Sequence, residues 1–334
     1  PVALIVLSEG GRAVGIRSAP RNDAHRMIEE FMLVANRAVA EHLGAAGIPL
    51  PYRVHEPPDP QEIEGLNRYL AAFGTGVEHE RKGGGALPPA AVQRVLEGLL
   101  GHPLEAVLSR RVLRALKQAH YTAENLGHFG LAFPTYCHFP SPIRRYPDLV
   151  VHRQLGLLLD DRAEQARGRG APVEASSLRS SERERRAMEA ERAMVDLKKA
   201  EFMLGHLLEP EPATVVSVAR FGAFVELESF PVEGLVSVDA LPGFWRYDEE
   251  GEMLTNARAG ERIRLGDRFL VEATDASLRR RQVAFAVLQR LSGRLGDSRD
   301  PGHPHGRPRD ARGGERRGGP RPARAPGTRG RRRS

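Results

Sequence analysis

The sequence predicts an α+β protein made of a largely helical part, a small β-barrel and a disordered basic tail. Apolar residues recur at helical spacing through much of the first 208 residues, and four segments rich in Val, Ala and Phe follow between 213 and 288. From Leu291 the composition turns to Arg, Gly and Pro without an aromatic residue, which is typical of disorder. We therefore expect domains at residues 1–208, 212–289 and 290–334.

Turn and capping residues delimit the first elements. Strand-like segments at 2–7 and 13–16 flank a Gly-Gly turn, and Asn22 or Asp23 can cap a helix that runs to about residue 43. This helix is indicated by apolar residues at helical spacing: Ile28, Phe31, Met32, Ala35, Val39 and Leu43.

Proline and glycine separate the elements that follow. In order, we expect a loop at 50–60, helices at 61–73 and 88–120, irregular structure at 125–145, a helix opening at Tyr146-Pro147-Asp148, a loop at 161–175, a long charged helix at 177–208 and a linker at 209–212. Short segments then predict the strands of a small barrel at 213–227, 234–238, 267–276 and 282–288.

The positive charge of the chain is concentrated in its tail. The net charge is +7, and residues 291–334 hold 13 arginines against four acids, a net of +9, which leaves −2 for the other 290 residues. A basic tail on a nearly neutral body indicates a polyanionic partner, of which nucleic acid is the usual one.

Composition disfavours two classes of protein. The single cysteine, Cys137, excludes an internal disulfide and a site built from several cysteines, and it fits a reducing compartment such as the cytoplasm. No run approaches the length of about 18 apolar residues that a membrane helix needs, so we predict no membrane span.

The segment HFPSPIRRYPD (residues 138–148) predicts a stiff loop that presents arginine. Prolines restrict the backbone on both sides of Arg144 and Arg145, and a guanidinium offers a planar fork of donors that matches a phosphate. Because neighbouring side chains usually point apart, we expect one arginine in a site and the other in an ion pair. The alternative is a purely structural salt bridge, for instance between Arg144 and Asp148.

Three long segments resemble the ribonuclease II family of processive 3′-to-5′ exoribonucleases, whose catalytic domain is called RNB. ENLGHFGLAFPTYCHFPSPIRRYPDLVVHR (124–153, the signature segment) resembles the signature near the end of that domain. RNDAHRMIEEFMLVAN (21–36) resembles its inner helix, and SERERRAMEAERAMVDLKKAEFM (181–203) resembles its last helix. The resemblance implies that the helical part is the C-terminal part of an RNB catalytic domain, followed by a five-stranded OB-fold RNA-binding barrel.

The resemblance also implies roles for individual residues. Arg144 matches the catalytic arginine beside the scissile phosphate, where it stabilises charge. Glu29 matches a glutamate that holds the terminal nucleotide, and Glu191 matches a glutamate that lies near the RNA. Arg145 is a further candidate for RNA binding. From the residues alone, Glu29 and Glu191 could instead be acids on solvated helix faces.

Aromatic residues of the barrel are candidates for base stacking. Phe221 and Phe224 flank the turn in RFGAFVEL, where the family's barrels stack bases, and we expect one of the two in the core because they need not share a face. The family's GLVHIS pattern reads GLVSV here, so Ser237 replaces a histidine of the RNA-binding face. Trp245, Arg246 and Tyr247 could supply a further binding surface, or Trp245 could fill the core.

We expect no metal site within this sequence. The family implies magnesium held by the aspartates of a DxxDxDDA-like run, and here Asp160-Asp161 is the only adjacent pair and lacks spaced companions. His128 and His138, ten residues apart, match no metal-binding spacing and are expected to be structural. We expect the sequence to begin after the aspartate run, and the chain as it stands to be inactive.

The function that the resemblance implies is magnesium-dependent hydrolysis of single-stranded RNA from its 3′ end to nucleoside 5′-monophosphates, by a cytoplasmic monomer. The expected partners are single-stranded RNA and, through the basic tail, the ribosome or RNA-decay factors. The alternative is a non-catalytic RNA-binding protein in which the barrel and the tail do all the binding.

Overall fold

The computed structural model describes residues 3–18, 22–71, 73–77, 87–102, 104–249, 251–256, 258 and 260–294. The helices are α1 (Asp23–Ala45), α2 (Pro60–Ala71), α3 (Pro89–Gly98), α4 (Glu105–Arg114), α5 (Tyr146–Leu159), α6 (Ala163–Arg167) and α7 (Gly170–Met203). The strands are β1 (Ala3–Leu7), β2 (Ala13–Ser18), β3 (Tyr52–Val54), β4 (His120–Thr122), β5 (Pro210–Ala219), β6 (Gly222–Leu227), β7 (Glu233–Ser237), β8 (Trp245–Asp248), β9 (Met253–Asn256), β10 (Arg262–Ile263), β11 (Asp267–Ser277) and β12 (Gln282–Arg294). None of the described helices combines the length and apolarity needed to cross a membrane.

Helix α1 follows the antiparallel hairpin β1–β2 and is capped as the sequence predicts. The Asn22 side chain accepts a hydrogen bond from the His25 amide at 3.1 Å, which satisfies a free amide of the first turn. The C-terminal end of the apolar stripe is buried at Leu43, whereas Ile28 and Phe31 are 52% and 63% exposed. The first turns of the stripe therefore do not face a core of described residues, which the helical pattern alone does not show.

Helices α2, α3 and α4 pack around one apolar cluster. Its buried residues include Leu70, Val95 and Leu108, one from each helix. The prediction of a single helix at 88–120 is wrong. Helix α3 ends before Gly101, and the φ of 75° at this glycine lets the chain turn into α4.

The loop predicted at 50–60 contains strand β3. This strand pairs antiparallel with β4, with Arg53 opposite Tyr121. Each strand has three residues, which is too few for an alternating pattern to be recognised in the sequence. The small sheet brings Arg53 and Tyr121 to the cleft described below.

The prediction of a loop at 161–175 is also wrong, since this segment contains α6 and the start of α7. Helix α7 begins at Gly170, and Pro172 lies in its first turn, where the missing amide hydrogen costs no intrahelical bond. Helix α5 begins at Tyr146 with Pro147 in its first turn, as the sequence predicts.

A closed five-stranded barrel follows the helical part, which confirms the predicted architecture. Its strand order is β5-β6-β7-β12-β11 and back to β5, and only the β7–β12 pair is parallel. Alternate residues of the strands point inward and fill the core, among them Ala213, Val215, Val225, Val271 and Phe285.

Two boundaries of the barrel and one additional sheet differ from the prediction. Strand β5 begins in the predicted linker, because Pro210 and Pro212 lie opposite residues of β11. A second antiparallel sheet, β8-β9-β10, has strands of at most four residues, too short to recognise in the sequence. Strand β12 continues past Leu291 to Arg294, which lies opposite Asp267. The rest of the predicted tail, residues 295–334, lies outside the described residues.

Candidate nucleic-acid interface

One buried amide holds the signature segment against α1. The Nδ2 of Asn36 donates to the Tyr136 hydroxyl at 2.8 Å, and its Oδ1 accepts from the Phe139 amide at 2.7 Å. The Cys137 thiol donates to the Asn36 carbonyl, and burial raises the pKa of this thiol to about 12. Sequence reasoning missed Asn36, although a lone amide within the apolar pattern of α1 is a signal for such a buried contact.

Arg145 and Asp148 fix the arginine loop within the signature segment. The Nε and Nη2 of Arg145 donate to the two carboxylate oxygens of Asp148, both at 2.7 Å. Asp148 is fully buried and also accepts from the Ser141 amide at 2.8 Å. Because these contacts enclose the turn at 142–144, they fix the position from which Arg144 projects.

Arg144 is presented to solvent by this turn. Its side chain is exposed, and it makes no ion pair with any residue that the structure describes. It lines a cleft of about 800 Å³ between the arginine loop and α7. Arg145, rather than Arg144, pairs with Asp148, so one arginine is structural and its neighbour faces the cleft.

Helix α7 adds two guanidiniums to the same cleft. Arg179 and Arg183, four residues apart, line it together with Arg144, and both are exposed. The acid of this wall, Glu184, is paired with Arg53 at 2.6 Å. The cleft therefore has an excess of positive charge, which suits a phosphate backbone. Sequence reasoning missed these two arginines, although their spacing of four places both on one helix face.

Tyr121 lines the cleft and ties β4 to the elements around it. Its hydroxyl lies 2.7 Å from Nδ1 of His138, and the Arg53 guanidinium lies 4.7 Å from its ring centroid. Its amide donates to Oγ of Ser181 in α7 at 2.8 Å. Burial raises the pKa of Tyr121 to about 12, so the phenol stays protonated at neutral pH and can donate a hydrogen bond but not act as a base.

His128 and His138 make structural contacts within the signature segment. Nδ1 of His128 accepts from the Leu131 amide at 3.2 Å, and His138 contacts Tyr121. Burial lowers the pKa of His128 to about 4 and that of His138 to about 2, so both rings are neutral near pH 7. Among the described residues, no three His, Cys, Asp or Glu side chains cluster as a metal site requires.

Glu29 and Glu191 lie outside the cleft that Arg144 lines. Glu29 is half-buried in α1. Glu191 is exposed on α7, seven residues beyond Glu184, and this spacing of about two turns places the two glutamates on the same helix face. The structure thus aligns Glu191 with the cleft wall, but it does not bring Arg144, Glu29 and Glu191 into one cavity.

Phe221 and Phe224 form one aromatic surface on the outside of the barrel. Their ring centroids are 5.9 Å apart, and the rings are perpendicular. Phe221 is 57% exposed, and Phe224 is half-buried on β6, whose inward residues include Ala223 and Val225. The expectation that one phenylalanine is in the core is wrong, because the turn before β6 returns Phe221 to the outer face that carries Phe224.

Trp245 packs half-buried against the outside of the barrel core, and its indole Nε1 donates to the Pro242 carbonyl at 3.0 Å. The ring therefore packs in part against the core and leaves another part accessible, and the choice between a binding surface and a core role stays a prediction. Ser237 ends β7, and its Oγ accepts from the Asp239 amide at 3.3 Å. Trp245 thus makes a local contact at the start of β8, and Ser237 makes one at the end of β7.

A positively charged cleft with a rigidly held arginine, followed by a closed barrel with outward aromatics, is an arrangement that suits nucleic-acid binding in a protein of mixed α and β structure. Comparison with known families agrees: residues 2–161 match the RNB domain. The first half of the chain is thus similar to the RNB family.

Two curated relatives are both named ribonuclease R. The protein from Thermotoga maritima is 39% identical over 289 residues, covering 85% of this chain and 40% of that protein. The protein from Aquifex aeolicus is 38% identical over 292 residues, covering 87% of this chain and 41% of that protein. The chain thus spans about 40% of the length of the curated relatives it matches.

A solved structure of Mycoplasma genitalium RNase R, in complex with ribose methylated single-stranded RNA, has the same fold. It superimposes with a TM-score of 0.78 at 23% sequence identity, over 86% of this chain and 45% of that chain.

Proposed function

We propose that this chain forms the C-terminal catalytic portion and RNA-binding barrel of a processive 3′-to-5′ exoribonuclease that degrades single-stranded RNA to nucleoside 5′-monophosphates. The observation that carries the proposal is Arg144, exposed and without an ion pair to a described residue above a positively charged cleft, in a chain whose residues 2–161 match the RNB domain. The names of the relatives and the RNA in a related structure support it.

In this proposal Arg144 acts on the phosphate at which the RNA is cut. Its guanidinium donates to the non-bridging oxygens of that phosphate and stabilises the charge that grows there in the transition state. It is effective because the Arg145–Asp148 pair fixes its turn in advance, so little reorganisation remains for the moment of reaction. Arg179 and Arg183 bind neighbouring phosphates, Glu29 holds the terminal nucleotide, and Glu191 contacts the RNA along α7.

The magnesium that the family implies finds no site among the described residues, which bring together no cluster of three metal-binding side chains. Clustered carboxylates are what such ions require to polarise a phosphate and activate water. Magnesium therefore belongs to the proposal for a complete catalytic domain. The steps assigned to this chain are those of its own residues: binding, orientation and stabilisation of charge.

The barrel and the tail supply RNA affinity in this proposal. The strand order, with the third strand parallel to the fifth, supports the OB-fold interpretation, and the outward Phe221 and Phe224 offer rings on which bases stack. We place the catalytic portion at residues 1–208, the barrel at 212–289 and a basic segment after it. The tail arginines are the contact for the ribosome or RNA-decay factors, and the protein works as a cytoplasmic monomer.

A chimera tests this function. The sequence that precedes the matched region in Thermotoga maritima ribonuclease R is fused in front of residues 1–334, and release of mononucleotides from a labelled single-stranded oligonucleotide is followed with and without EDTA. We expect steady, EDTA-sensitive release from the chimera and none from the chain alone. A folded chimera that binds RNA without degrading it would contradict the proposal and support a non-catalytic RNA-binding protein.

A further inference from the structure

We propose that a cavity between α2, α4 and the β8-β9-β10 sheet binds a segment of single-stranded RNA, at a site separate from the cleft at Arg144. The inference rests on the proposed function in one respect, since it takes RNA as the ligand of the chain. The cavity has a volume of about 740 Å³. It is lined from α2 and α4, from the turn between β8 and β9, and from the segment after β10.

Three guanidiniums line this cavity. Arg68 comes from α2, Arg111 from α4 and Arg264 from the segment after β10. Within the described part of the chain, Arg68 and Arg264 form no ion pair, whereas Arg111 is paired with Glu252 at 2.8 Å. Two positive charges of the lining are therefore available to a ligand.

The acids of the lining are already engaged by arginines. Glu252 accepts from Arg111, and Glu249, at the other side of the β8–β9 turn, forms an ion pair with Arg220. The described lining thus has a net positive charge, and because guanidiniums bind phosphates through paired donors, an anionic phosphate is the group that fits.

Two aromatic rings accompany the guanidiniums. Tyr69 and Phe73 both line the cavity, and their ring centroids are 5.6 Å apart. The Arg111 guanidinium lies 5.2 Å from the Tyr69 centroid, so the pair of rings adjoins a positive charge on the cavity wall. Proteins hold single strands with this combination, in which cations bind the phosphates and rings stack on the bases.

The cavity is linked to the aromatic surface of the barrel. Arg220, which pairs with Glu249 of the cavity wall, directly precedes Phe221. A strand whose bases stack on Phe221 and Phe224 can therefore extend along the β8–β9 turn toward Arg68 and Arg264. Because the aromatic surface and the cavity adjoin, the ligand that fits best is a polymer long enough to contact both, rather than a free nucleotide.

The test compares two double variants of the chain in which the same charge is removed. Arg68→Gln/Arg264→Gln alters the cavity, and Arg12→Gln/Arg162→Gln alters exposed arginines on the β1–β2 turn and at the start of α6. Binding of a labelled oligoadenylate is measured by fluorescence anisotropy between about 50 mM and about 200 mM salt. A 4-thiouridine-containing oligonucleotide is cross-linked to the unmodified chain, and the cross-linked peptides are identified by mass spectrometry.

We expect the cavity variant to bind about tenfold more weakly at low salt and its salt slope to fall by about 1.4, since each phosphate contact on a single strand contributes about 0.7. The control should change affinity less than about twofold, and cross-links should include the peptide that contains Tyr69 and Phe73. Equal effects of both variants, or competition by AMP as strong as that by the oligonucleotide, would overturn the inference while leaving RNA binding by the barrel intact. Failure of the unmodified chain to bind RNA would contradict the proposed function as well.

Discussion

Arg145 and Asp148 form a bidentate ion pair three residues apart, with two N–O distances of 2.7 Å and the carboxylate fully buried. The pair closes around the turn from which Arg144 projects, and it leaves Arg144 facing the cleft. The two consecutive arginines thus differ in environment: Arg145 is ion-paired within the loop, and Arg144 lines the cleft and in the proposed function meets the ligand.

This pair predicts a large effect of Asp148→Asn on stability. The substitution keeps the shape of the side chain but leaves the Arg145 guanidinium, whose side chain is 20% exposed, without its counterion. Removing one partner of a buried pair costs about 3–5 kcal/mol, so we expect a loss of about 3 kcal/mol in the free energy of unfolding, measured by urea denaturation.

A matched control is Glu164→Gln. Glu164 and Arg167 form an ion pair with the same spacing of three residues, but both side chains are exposed. We expect a change below about 1 kcal/mol there, because water screens exposed pairs. Equal effects of Asp148→Asn and Glu164→Gln would show that the Arg145–Asp148 pair does not hold the loop.

The aromatic surface of the barrel predicts a loss of affinity without a loss of stability. We expect Phe221→Ala to weaken binding of an oligonucleotide by about 1–3 kcal/mol, the usual contribution of one stacked base, and to leave the melting temperature unchanged because Phe221 is 57% exposed. Phe244→Ala, at a similarly exposed position, is the control and should change neither quantity. Unchanged binding of the Phe221→Ala variant would remove Phe221 from the RNA interface.

The basic tail predicts a change in salt dependence. Residues 295–334 contain 12 arginines, and their removal preserves strand β12, which ends at Arg294. We expect the truncated chain to keep its melting temperature, to bind RNA more weakly at low salt and to show a flatter plot of log affinity against log salt, because fewer counterions are released. The loss should be similar for oligonucleotides of any sequence, since phosphate contacts read no bases. Identical slopes with and without the tail would exclude its part in binding.

The buried histidines predict that stability falls in acid. An unfolded histidine takes up a proton below its ordinary pKa of 6.5, whereas burial lowers the pKa of His128 to about 4 and that of His138 to about 2. Between these pKa values the unfolded chain binds more protons than the folded chain. The contribution of the two neutral histidines to the free energy of unfolding is therefore complete above pH 6.5 and declines as the pH falls toward 4 and below.

Urea midpoints measured between about pH 7.5 and about pH 4.5 check this prediction. The His128→Gln variant should lose less stability over this range than the unmodified chain, whereas His42→Gln, at an exposed position of α1, should lose as much as the unmodified chain. The same decline in all three chains would mean that His128 does not contribute to the pH dependence.

The predictions from the sequence succeeded where a pattern is long or has a local cause. The α1 cap at Asn22, the Pro147 start of α5 and the strands of the barrel each follow from residues close together in the chain. The resemblance located the arginine loop, because its signature segment is contiguous.

The remaining features depend on partners far apart in the sequence. The β3–β4 pair joins residues 52–54 to 120–122, and Asn36 reaches Tyr136 and Phe139 across the fold. A local pattern can suggest that Asn36 is buried, but it does not identify the distant partners of such contacts. The choice between Arg144 and Arg145 for the pair with Asp148 likewise depends on the turn at 142–144, and the common face of Phe221 and Phe224 depends on the turn before β6.

The most direct test of the central claim is the turnover of Arg144→Lys in the chimera with Thermotoga maritima ribonuclease R. Lysine keeps the charge but loses the bidentate fork, so we predict that turnover falls about 10²-fold, equivalent to about 3 kcal/mol of transition-state stabilisation, while RNA affinity changes less than about threefold. Arg162→Lys, an exposed arginine at the start of α6, is the control and should leave turnover unchanged. Normal turnover of the Arg144→Lys chimera would contradict the account, because the arginine that the loop holds over the cleft would then have no part in the reaction.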